Sequence, residues 1–484
     1  MKDRPYIDTV KCVGCSLCVE NCPMDCIGLS EPKFHGDTHT YAYIKDPDKC
    51  ISCGICSKNC PTKVITMCKP GTIPAHLTKG NKSTMGKVYC RIFQGVMKIG
   101  NYFMGYRTPE YIEGAGSVKQ LPAMVKAKGV KKVLLVTDNG LRKLGVPNGL
   151  IEAMESEGLP YEIFSDLQPN PTDENVEAGY AVFKEKGCDG IIAFGGGSPM
   201  DCAKGIAAKN AHPNKKVAQL QGLLKVHKAI CPFWAVPTTA GTGSETTVAA
   251  VITEAATHHK ASINDPSILP KYAVLDPELT KALPPFVTAT TGMDALCHAV
   301  EAYTNHTYNT KEEDWRAKEA VKLIHDYLLR AFEDGNDMEA RQQMQLAAFH
   351  AGRAFTRGCV GYVHAVGHTL GGLYGVAHGV AMSVILPHVM RQFGPAVYDK
   401  LADLADVCGM DGSTNQEKAE NFIAWIEDMK VKMGIPKGFD CIKEEDIPQI
   451  IAWAKKEANP LYPVPVVWND EDFKRLIQTI RTAK

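Results

Sequence analysis

Two short cysteine runs stand near the start of the sequence and share one spacing. The runs are Cys12, Cys15, Cys18, Cys22 and Cys50, Cys53, Cys56, Cys60, each followed by a proline. Thiolates at every third position can converge on one face of an iron–sulfur cube, and the proline turns the chain away. Structural zinc sites are the alternative, although zinc normally uses two separated C-x2-C pairs. The spacing therefore predicts two [4Fe–4S] clusters.

A second set of possible ligands lies in the C-terminal half. Asp294 and His298 are four residues apart in "GMDALCHAVEAY", and His364 and His368 are four apart in "YVHAVGHTLGGLYGVAHGV". This spacing puts each pair on one face of a helix, and His378 follows after a glycine-rich break. A carboxylate and two or three imidazoles from separate helices can surround a divalent cation. Two histidines with a carboxylate suit Fe(II), whereas three imidazoles would also hold Zn(II).

Two loops of small residues indicate a nucleotide site. "FGGGSPMD" and "PTTAGTGSE" each follow an apolar strand, and "FGGGSPMD" leads into a helix. Backbone N–H groups at such a turn bind phosphate because no side chain blocks the approach. Asp138 ends the earlier strand "KKVLLVTD", where a carboxylate can bind ribose hydroxyls and favour NAD over NADP. An ordinary turn aspartate is the alternative interpretation of Asp138.

The elements that must position these residues divide the chain into segments. Residues 1–67 are rich in cysteine and proline, and residues 68–86 lack a hydrophobic period and indicate a linker. Residues 87–284 begin with a helix and then alternate apolar strands with helices, which predicts a parallel sheet covered on both faces. Residues 285–484 carry a 3.6-residue period and predict an all-helical domain. The expected fold is a small α+β dicluster domain, then a Rossmann-like α/β domain, then an all-α metal-binding domain.

Composition excludes several classes of protein. The 484 residues include 54 basic and 54 acidic side chains, so nothing points to nucleic acid or to an acidic membrane surface. The sequence contains no run of eighteen apolar residues, and its first residues, Met1 to Pro5, lack an apolar h-region. We therefore expect no secretory signal, no membrane association and a cytoplasmic location. Eighteen cysteines, eleven of them before residue 91, indicate metal ligands rather than disulfides in such a chain.

The cysteine-rich segment resembles the bacterial dicluster ferredoxins over roughly residues 5–67. In that arrangement the fourth cysteine of each run serves the other cluster. The resemblance therefore implies one cluster held by Cys12, Cys15, Cys18 and Cys60, and a second held by Cys50, Cys53, Cys56 and Cys22. Cys26, Cys68 and Cys90 fit neither run and are interpreted as free thiols.

The rest of the chain, residues 88–484, resembles the iron-dependent (group III) alcohol dehydrogenases. The motifs that carry this resemblance are "GGGSPMD", "PTTAGTGSE", "DPELT", "GMDALCHAVEAY" and the spacing of His364 and His378. It implies that the metal ligands are Asp294, His298, His364 and His378. It implies cofactor contacts at Asp138, Gly196, Gly197, Ser198, Thr238, Thr239 and Lys260. His368 matches the family's non-ligand histidine near the substrate and the nicotinamide.

These parts together predict an NAD(H)-linked, iron-dependent alcohol dehydrogenase or aldehyde reductase. The metal acts as a Lewis acid on the oxygen of a small primary alcohol or aldehyde, and His368 is the proposed proton relay. Oxygen-labile clusters and Fe(II) favour an anaerobic cytoplasm and the reductive direction. A polyol dehydrogenase of the glycerol or propanediol type is one alternative. Another is an electron carrier with a non-catalytic dehydrogenase-like scaffold.

The role of the N-terminal segment stays open at this point. A cluster gives one electron at a time whereas nicotinamide accepts a hydride, and the sequence offers no separate flavin domain to join the two. The segment could therefore serve a redox partner protein, act as a docking or structural domain, or sense redox state. By family resemblance we expect a homo-oligomer, with a dimer as the simplest assembly.

Overall fold

The computed structural model describes residues 4–7, 12, 15–30, 41–62, 64–68, 84–255, 260–305 and 307–482. The chain divides into two compact units, Met1–Val88 and Tyr89–Lys484. Most of the predicted linker lies outside the described residues, so that prediction stays untested.

The first unit is a small α+β domain built from two similar halves. Its elements are β1 (Arg4–Ile7), α1 (Leu17–Glu20), β2 (Ile27–Leu29), β3 (Ala42–Ile44), α2 (Ile55–Asn59) and β4 (Ile65–Cys68). Strand β1 pairs antiparallel with β4, and β2 pairs antiparallel with β3. The short helices α1 and α2 begin after Ser16 and Gly54, whose φ angles are 63° and 73°. These left-handed turns place the third cysteine of each run, Cys18 and Cys56, in the buried interior.

Helix α3 (Thr84–Phe103) confirms the helix expected near residue 87. From Tyr89 onward this helix belongs to the second unit. Within that unit, Arg91 and Gln94 donate hydrogen bonds to the carbonyls of Val464 and Tyr462, at 2.8 and 2.9 Å. Its apolar residues point outward, and Ile92, Val96 and Ile99 are 62, 65 and 66% exposed. The hydrophobic period that predicts this helix therefore marks its outer face.

The α/β part of the second unit is organised around a parallel sheet. The strands are β5 (Glu110–Glu113), β6 (Val133–Val136), β7 (Tyr161–Phe164), β8 (Gly190–Gly195), β9 (Gly222–Leu223), β10 (Phe233–Pro237), β11 (Ala249–Thr253), β12 (Lys260–Asn264) and β13 (Tyr272–Leu275). Six of them form one parallel sheet in the order β5-β13-β10-β8-β6-β7, and β11-β12-β9 form a separate small sheet. Strands β6, β8 and β10 are buried along their whole length, as expected for a sheet covered on both faces.

The helices of this part cover the sheet. They are α4 (Leu121–Ala127), α5 (Asn139–Lys143), α6 (Asn148–Ser156), α7 (Asp173–Glu185) and α8 (Gly197–Ala211). The chain direction across the sheet reverses between β6 and β8, which is where such folds bind ligands at the carboxyl ends of their strands. The predicted Rossmann-like domain is confirmed.

The remainder of the second unit is helical, as the 3.6-residue period predicts. The helices are α9 (Pro285–Thr304), α10 (Lys311–Glu333), α11 (Met338–Gly358), α12 (Tyr362–Tyr374), α13 (His378–Phe393), α14 (Tyr398–Val407), α15 (Asn415–Lys432), α16 (Ile447–Ala458) and α17 (Asp470–Ile480). Helix α9 is buried almost throughout and packs against α10, α11 and α13. None of the helices in the described part of the chain combines the length and apolar character of a membrane span.

Candidate metal centre, nucleotide loops and cluster sites

Four predicted ligands converge from three helices of the second unit. Asp294 and His298 lie on α9, His364 lies on α12, and His378 is the first residue of α13. One ligand atom from each of the four lies within 4.8 Å of the others. Oδ1 of Asp294 is 3.2 Å from Nε2 of His378 and 4.0 Å from Nε2 of His364. The structure thus brings together all four residues that the sequence singles out.

The polar atoms at this point fit a bound cation. Oδ1 of Asp294, Nδ1 of His298 and Nε2 of His364 are buried and have no hydrogen-bond partner, since the 3.2 Å contact of Oδ1 with His378 does not have hydrogen-bond geometry. Buried polar atoms are normally paired, so three unpaired atoms that face one another are the arrangement expected of metal ligands. His378 is different, because its side chain is 42% exposed. The centre is therefore closed on three sides and open beside His378.

The protonation states also suit metal binding. Burial lowers the pKa of His298 to about 3 and lowers the pKa of His364 well below its ordinary value. Burial opposes the ionisation of Asp294, but the nearby imidazoles of His298 and His378 outweigh it and lower the pKa of the carboxyl. Neutral imidazoles and a carboxylate are the forms that bind a metal. A divalent cation would also compensate the buried negative charge on Asp294.

Glu301 is a buried partner of His364 that the sequence reasoning missed. It is buried one helical turn beyond His298, and its Oε2 is 2.6 Å from Nδ1 of His364. Its Oε1 accepts a hydrogen bond from the backbone N–H of Val363 at 2.8 Å. With the carboxylate as acceptor, Nδ1 of His364 carries the proton and Nε2 is left for the centre. The spacing in the sequence could have indicated Glu301, because Asp294, His298 and Glu301 share one face of α9.

His368 lies beside the four ligands, and the structure does not place it among them. Its ring stacks on His378 with 5.2 Å between centroids. Its Nδ1 is 2.8 Å from Oε1 of Glu457, which also accepts a hydrogen bond from the hydroxyl of Tyr462 at 3.0 Å. Burial disfavours the charged imidazole, but Glu457 outweighs it and raises the pKa of His368. Glu457 and Tyr462 had no recognisable signal in the sequence, since they come from a distant segment.

The two predicted nucleotide loops meet at the carboxyl ends of β8 and β10, which are adjacent parallel strands. A Cβ added at Gly196 would lie 3.3 Å from Thr239, and one added at Gly197 would lie 3.2 Å from Thr242. The hydroxyl of Thr239 is buried without a hydrogen-bond partner. The start of helix α8, with 15 residues, lies at the same place. Small residues, an unpaired hydroxyl and a helix N-terminus fit a phosphate group.

Lys204 holds the loop "PTTAGTGSE" and the residues that follow it. The sequence analysis did not single out this lysine. This side chain is fully buried, and its Nζ donates to the backbone oxygen of Ser244 at 2.6 Å and to the hydroxyl of Thr247 at 2.8 Å. It also donates to the carbonyls of Thr247 and Ala249 at 3.1 and 2.9 Å. Burial lowers the pKa of Lys204 to about 8. One ammonium group thereby sets the path of the chain that follows β10.

The remaining predicted cofactor positions make specific local contacts. Oδ1 of Asp138 accepts a hydrogen bond from the N–H of Leu141 at 2.9 Å, so one oxygen caps helix α5 as an ordinary turn aspartate does. Asn170 joins two other positions: its N–H donates to Oγ of Ser198 at 3.2 Å, and its Oδ1 accepts from Lys260 at 2.8 Å.

Thr238 of the same predicted set is buried directly after β10. Its backbone N–H donates to the carbonyl of Gly195 at 3.1 Å. It therefore helps to hold the two nucleotide loops together at the edge of the sheet.

In the first unit the predicted cluster cysteines line two cavities. One is lined by Cys12, Cys15, Cys18 and Cys60, and the other by Cys22, Cys50, Cys53 and Cys56. The fourth cysteine of each run thus lies at the cavity of the other run, as the dicluster arrangement implies. The backbone N–H of Ala42 donates to Sγ of Cys12 at 3.3 Å. Four predicted ligands at each cavity, with a backbone donor to the sulfur of Cys12, fit iron–sulfur clusters. Cys26, predicted as a free thiol, lines the second cavity as well, and its Sγ lies 3.4 Å from Sγ of Cys22.

Comparison with known proteins identifies the family of each part of the chain. The model of the iron-containing alcohol dehydrogenases matches residues 108–277, and that of the C-terminal part of the same family matches residues 288–480. A 4Fe-4S dicluster domain matches residues 11–64.

Individual relatives cover most of the second unit. The NAD-dependent methanol dehydrogenase of Bacillus methanolicus is 39% identical over 351 residues, which are 72% of this chain and 91% of that protein. The 1,3-propanediol dehydrogenase of Klebsiella pneumoniae is 39% identical over 368 residues, which are 74% of this chain and 95% of that protein. A crystal structure of 1,3-propanediol oxidoreductase superposes with a TM-score of 0.75 at 37% identity, covering 78% of this chain and all of that one. The chain therefore belongs to the iron-containing alcohol dehydrogenase family, which uses NAD(H) and iron, and it carries a 4Fe-4S dicluster domain in front of the dehydrogenase.

Proposed function

We propose that the chain interconverts small primary alcohols and aldehydes with NAD(H), at a centre formed by Asp294, His298, His364 and His378. The observation that carries this proposal is the convergence of three buried, unpaired ligand atoms beside one exposed histidine. Bound iron supplies Lewis-acid polarisation of the carbon–oxygen bond, and bound nicotinamide supplies or takes the hydride. The open side at His378 is the side from which an alcohol or aldehyde reaches the centre.

The protein's own part in the reaction is to hold the ligands and to manage one proton. Glu301 orients His364 so that Nε2 faces the centre. Glu457 holds His368 through Nδ1, which leaves Nε2 of His368 as the atom that exchanges a proton with the substrate oxygen. In the reductive direction His368 gives up this proton and Glu457 stabilises the charged ring beforehand. The glycine loop and Thr239 bind the phosphates of the nucleotide.

A second candidate function on the same centre is a polyol dehydrogenase. The similarity to 1,3-propanediol dehydrogenases, at 39% identity, favours this candidate. The chemistry of the ligands is the same in both cases, and the candidates differ only in the second hydroxyl of the substrate. Product analysis with 1,3-propanediol, glycerol and simple primary alcohols distinguishes them.

The dicluster unit serves a redox partner protein in this proposal. Each cluster exchanges one electron at a time, whereas nicotinamide exchanges two electrons as a hydride. Two clusters in a compact unit of their own therefore suit transfer to an external protein that joins the two kinds of step. Anaerobic addition of NADH to the isolated chain tests this point, and cluster reduction by NADH alone would contradict it.

The test of the dehydrogenase uses anaerobically purified full-length chain supplied with Fe(II). We expect oxidation of NADH with ethanal, propanal or 3-hydroxypropanal, and we expect His298→Ala to lose both bound metal and turnover. His325→Ala is the matched control, because this histidine lies on α10, contacts Asp326 and is not one of the four converging residues. Full turnover in His298→Ala would refute the proposed centre. Absence of turnover across the aldehydes, with normal metal content and cluster spectra, would favour the electron-carrier alternative.

A further inference from the structure

The outward side of helix α3 carries a strip of large apolar side chains. These residues, each between 59 and 79% exposed, are called the outer strip and are Tyr89, Ile92, Val96, Ile99, Tyr102 and Phe103. All of them belong to the second unit. A contiguous apolar patch on a protein surface marks an interaction site, whereas single exposed apolar residues do not.

The spacing within the outer strip is that of a coiled-coil seam. Tyr89, Ile92, Val96, Ile99 and Phe103 follow one another at intervals of three, four, three and four residues. These are the a and d positions of a heptad, and such a narrow seam packs against the corresponding seam of another helix. A helix that only covered its own protein would turn these residues inward.

The opposite side of the helix is fixed to the second unit by polar contacts. Gln94 and Asn101 are seven residues apart, and both are buried. Nε2 of Gln94 donates to the carbonyls of Pro460 and Tyr462 at 3.1 and 2.9 Å, and Oδ1 of Asn101 accepts from the hydroxyl of Tyr106 at 3.1 Å. The helix cannot roll the outer strip inward without breaking these bonds.

The charges on the helix favour a second copy of this chain over a membrane as the occupant. Arg91 and Lys98 are the charged residues between positions 89 and 103. Arg91 donates to two carbonyls of the second unit, so it is held on the inner side. Helices that bind membranes carry rows of lysine and arginine beside their apolar face, and here Lys98 alone remains. Two outer strips therefore meet without repulsion between like charges.

The size and shape of the outer strip suit a helix pair. Complete burial covers about 150–250 Å² for an aromatic side chain and about 60–120 Å² for valine or isoleucine. With the exposed fractions of its six residues, the outer strip offers about 600 Å² on each copy. Two copies then bury about 1,200 Å², the lower limit for a specific interface. Gly95 and Gly100 flank the seam, and a Cβ at either would have no atom within 4 Å, so a second helix can approach closely.

We propose that two copies of this chain associate through the outer strip of α3. The contact is isologous, because the same strip of each copy packs against that of the other. Helix α3 lies between the residues that match the dicluster domain, 11–64, and those that match the dehydrogenase, from 108 onward. The surface therefore belongs to neither matched part.

The test measures the mass of the full-length chain, purified anaerobically, by sedimentation equilibrium. Val96→Glu should halve the mass of the assembly, or raise the dissociation constant of the pair about 100-fold, because each copy places a charge in the seam. Val431→Glu is the matched control, because this valine is equally exposed, at 65%, and lies on α15. Its mass should equal that of the wild type. A monomeric wild type, or an unchanged mass in Val96→Glu, would overturn the proposal.

Iron content and cluster spectra show whether each variant is folded. Ile99→Glu replaces Val96→Glu if the latter does not accumulate, and the same loss of mass is expected.

A mixing experiment tests whether the outer strip meets its own copy. Equal amounts of Val96→Glu and Val96→Lys should recover part of the larger assembly, because opposite charges then face each other across the seam. Absence of any recovery would mean that the substitutions act indirectly, and it would overturn the pairing.

Flotation with vesicles of phosphatidylcholine and phosphatidylglycerol tests the membrane as occupant. We expect no flotation of the wild type. Flotation that Val96→Glu abolishes, with equal masses of the two proteins in solution, would assign the outer strip to a membrane and overturn the proposal.

Discussion

Replacement of Glu301 is the most direct way to probe how the fold prepares the metal centre. Glu301 contacts Nδ1 of His364 at 2.6 Å and accepts from the N–H of Val363 at 2.8 Å, inside a fully buried environment. Without the carboxylate, the ring of His364 can turn, and its proton is no longer held on Nδ1. Loss of such an outer partner typically weakens metal binding about 10- to 100-fold, equivalent to about 1.4 to 2.8 kcal/mol.

Glu301→Gln and Glu301→Ala should weaken Fe(II) binding by different amounts. Glu301→Gln keeps an oxygen that can accept from His364 but presents an amide N–H2 to the N–H of Val363, so we expect about a tenfold loss of affinity. Glu301→Ala removes both contacts, and we expect a loss of about 100-fold. Competition between the protein and a chromophoric chelator for Fe(II) measures this affinity anaerobically. The assay reports metal binding and does not depend on turnover.

A buried glutamate elsewhere in the helical part provides the control. Glu313 is 1% exposed, pairs with Arg353 at 3.4 Å and is not one of the four converging residues. Glu313→Gln should lower the free energy of unfolding and leave Fe(II) affinity unchanged. If Glu301→Ala binds Fe(II) as tightly as the wild type, Glu301 does not orient His364. If both glutamate variants lose affinity equally, the effect is one of general stability.

Three further predictions test the elements around the site. Gly379→Ala would place a Cβ 2.4 Å from a backbone oxygen of α9, so it should separate the ligand helices and reduce bound iron. Gly372→Ala is the control: its Cβ would have no atom within 4 Å, and iron content should stay unchanged. Lys204→Met leaves several buried carbonyl and hydroxyl groups unpaired, and each such group costs about 1–3 kcal/mol. The variant should therefore unfold at a lower temperature and bind NADH more weakly, as measured by fluorescence. Glu457 raises the pKa of His368, so aldehyde reduction should fall as pH rises through that pKa. Glu457→Gln should move this fall in kcat/KM to lower pH. If the pH dependence of kcat/KM does not move, His368 is not the proton donor.

The local patterns in the sequence carried the prediction of the elements and of the ligand types. Asp294 and His298 at a spacing of four must share one face of a helix, and the apolar run ending in "FGGG" must be a buried strand followed by a turn. The period in residues 88–103 predicted a helix correctly but could not tell which face would meet the protein. That choice depended on Arg91 and Gln94 finding carbonyl partners more than 360 residues away in the chain.

The sequence by itself determined the short-range features of this protein: the cysteine runs, the helical ligand pairs, the glycine loops and the division into a dicluster unit and a dehydrogenase. Each of these features depends on spacing within a few residues. At that range the geometry of the backbone fixes the direction in which the side chains project. Only the tertiary structure decided that Glu301 orients His364, that Glu457 holds His368 and that Cys26 lies beside Cys22 in a cluster cavity. Such contacts arise when separate helices and strands pack together, and side-chain type alone does not encode which buried partner each group will meet.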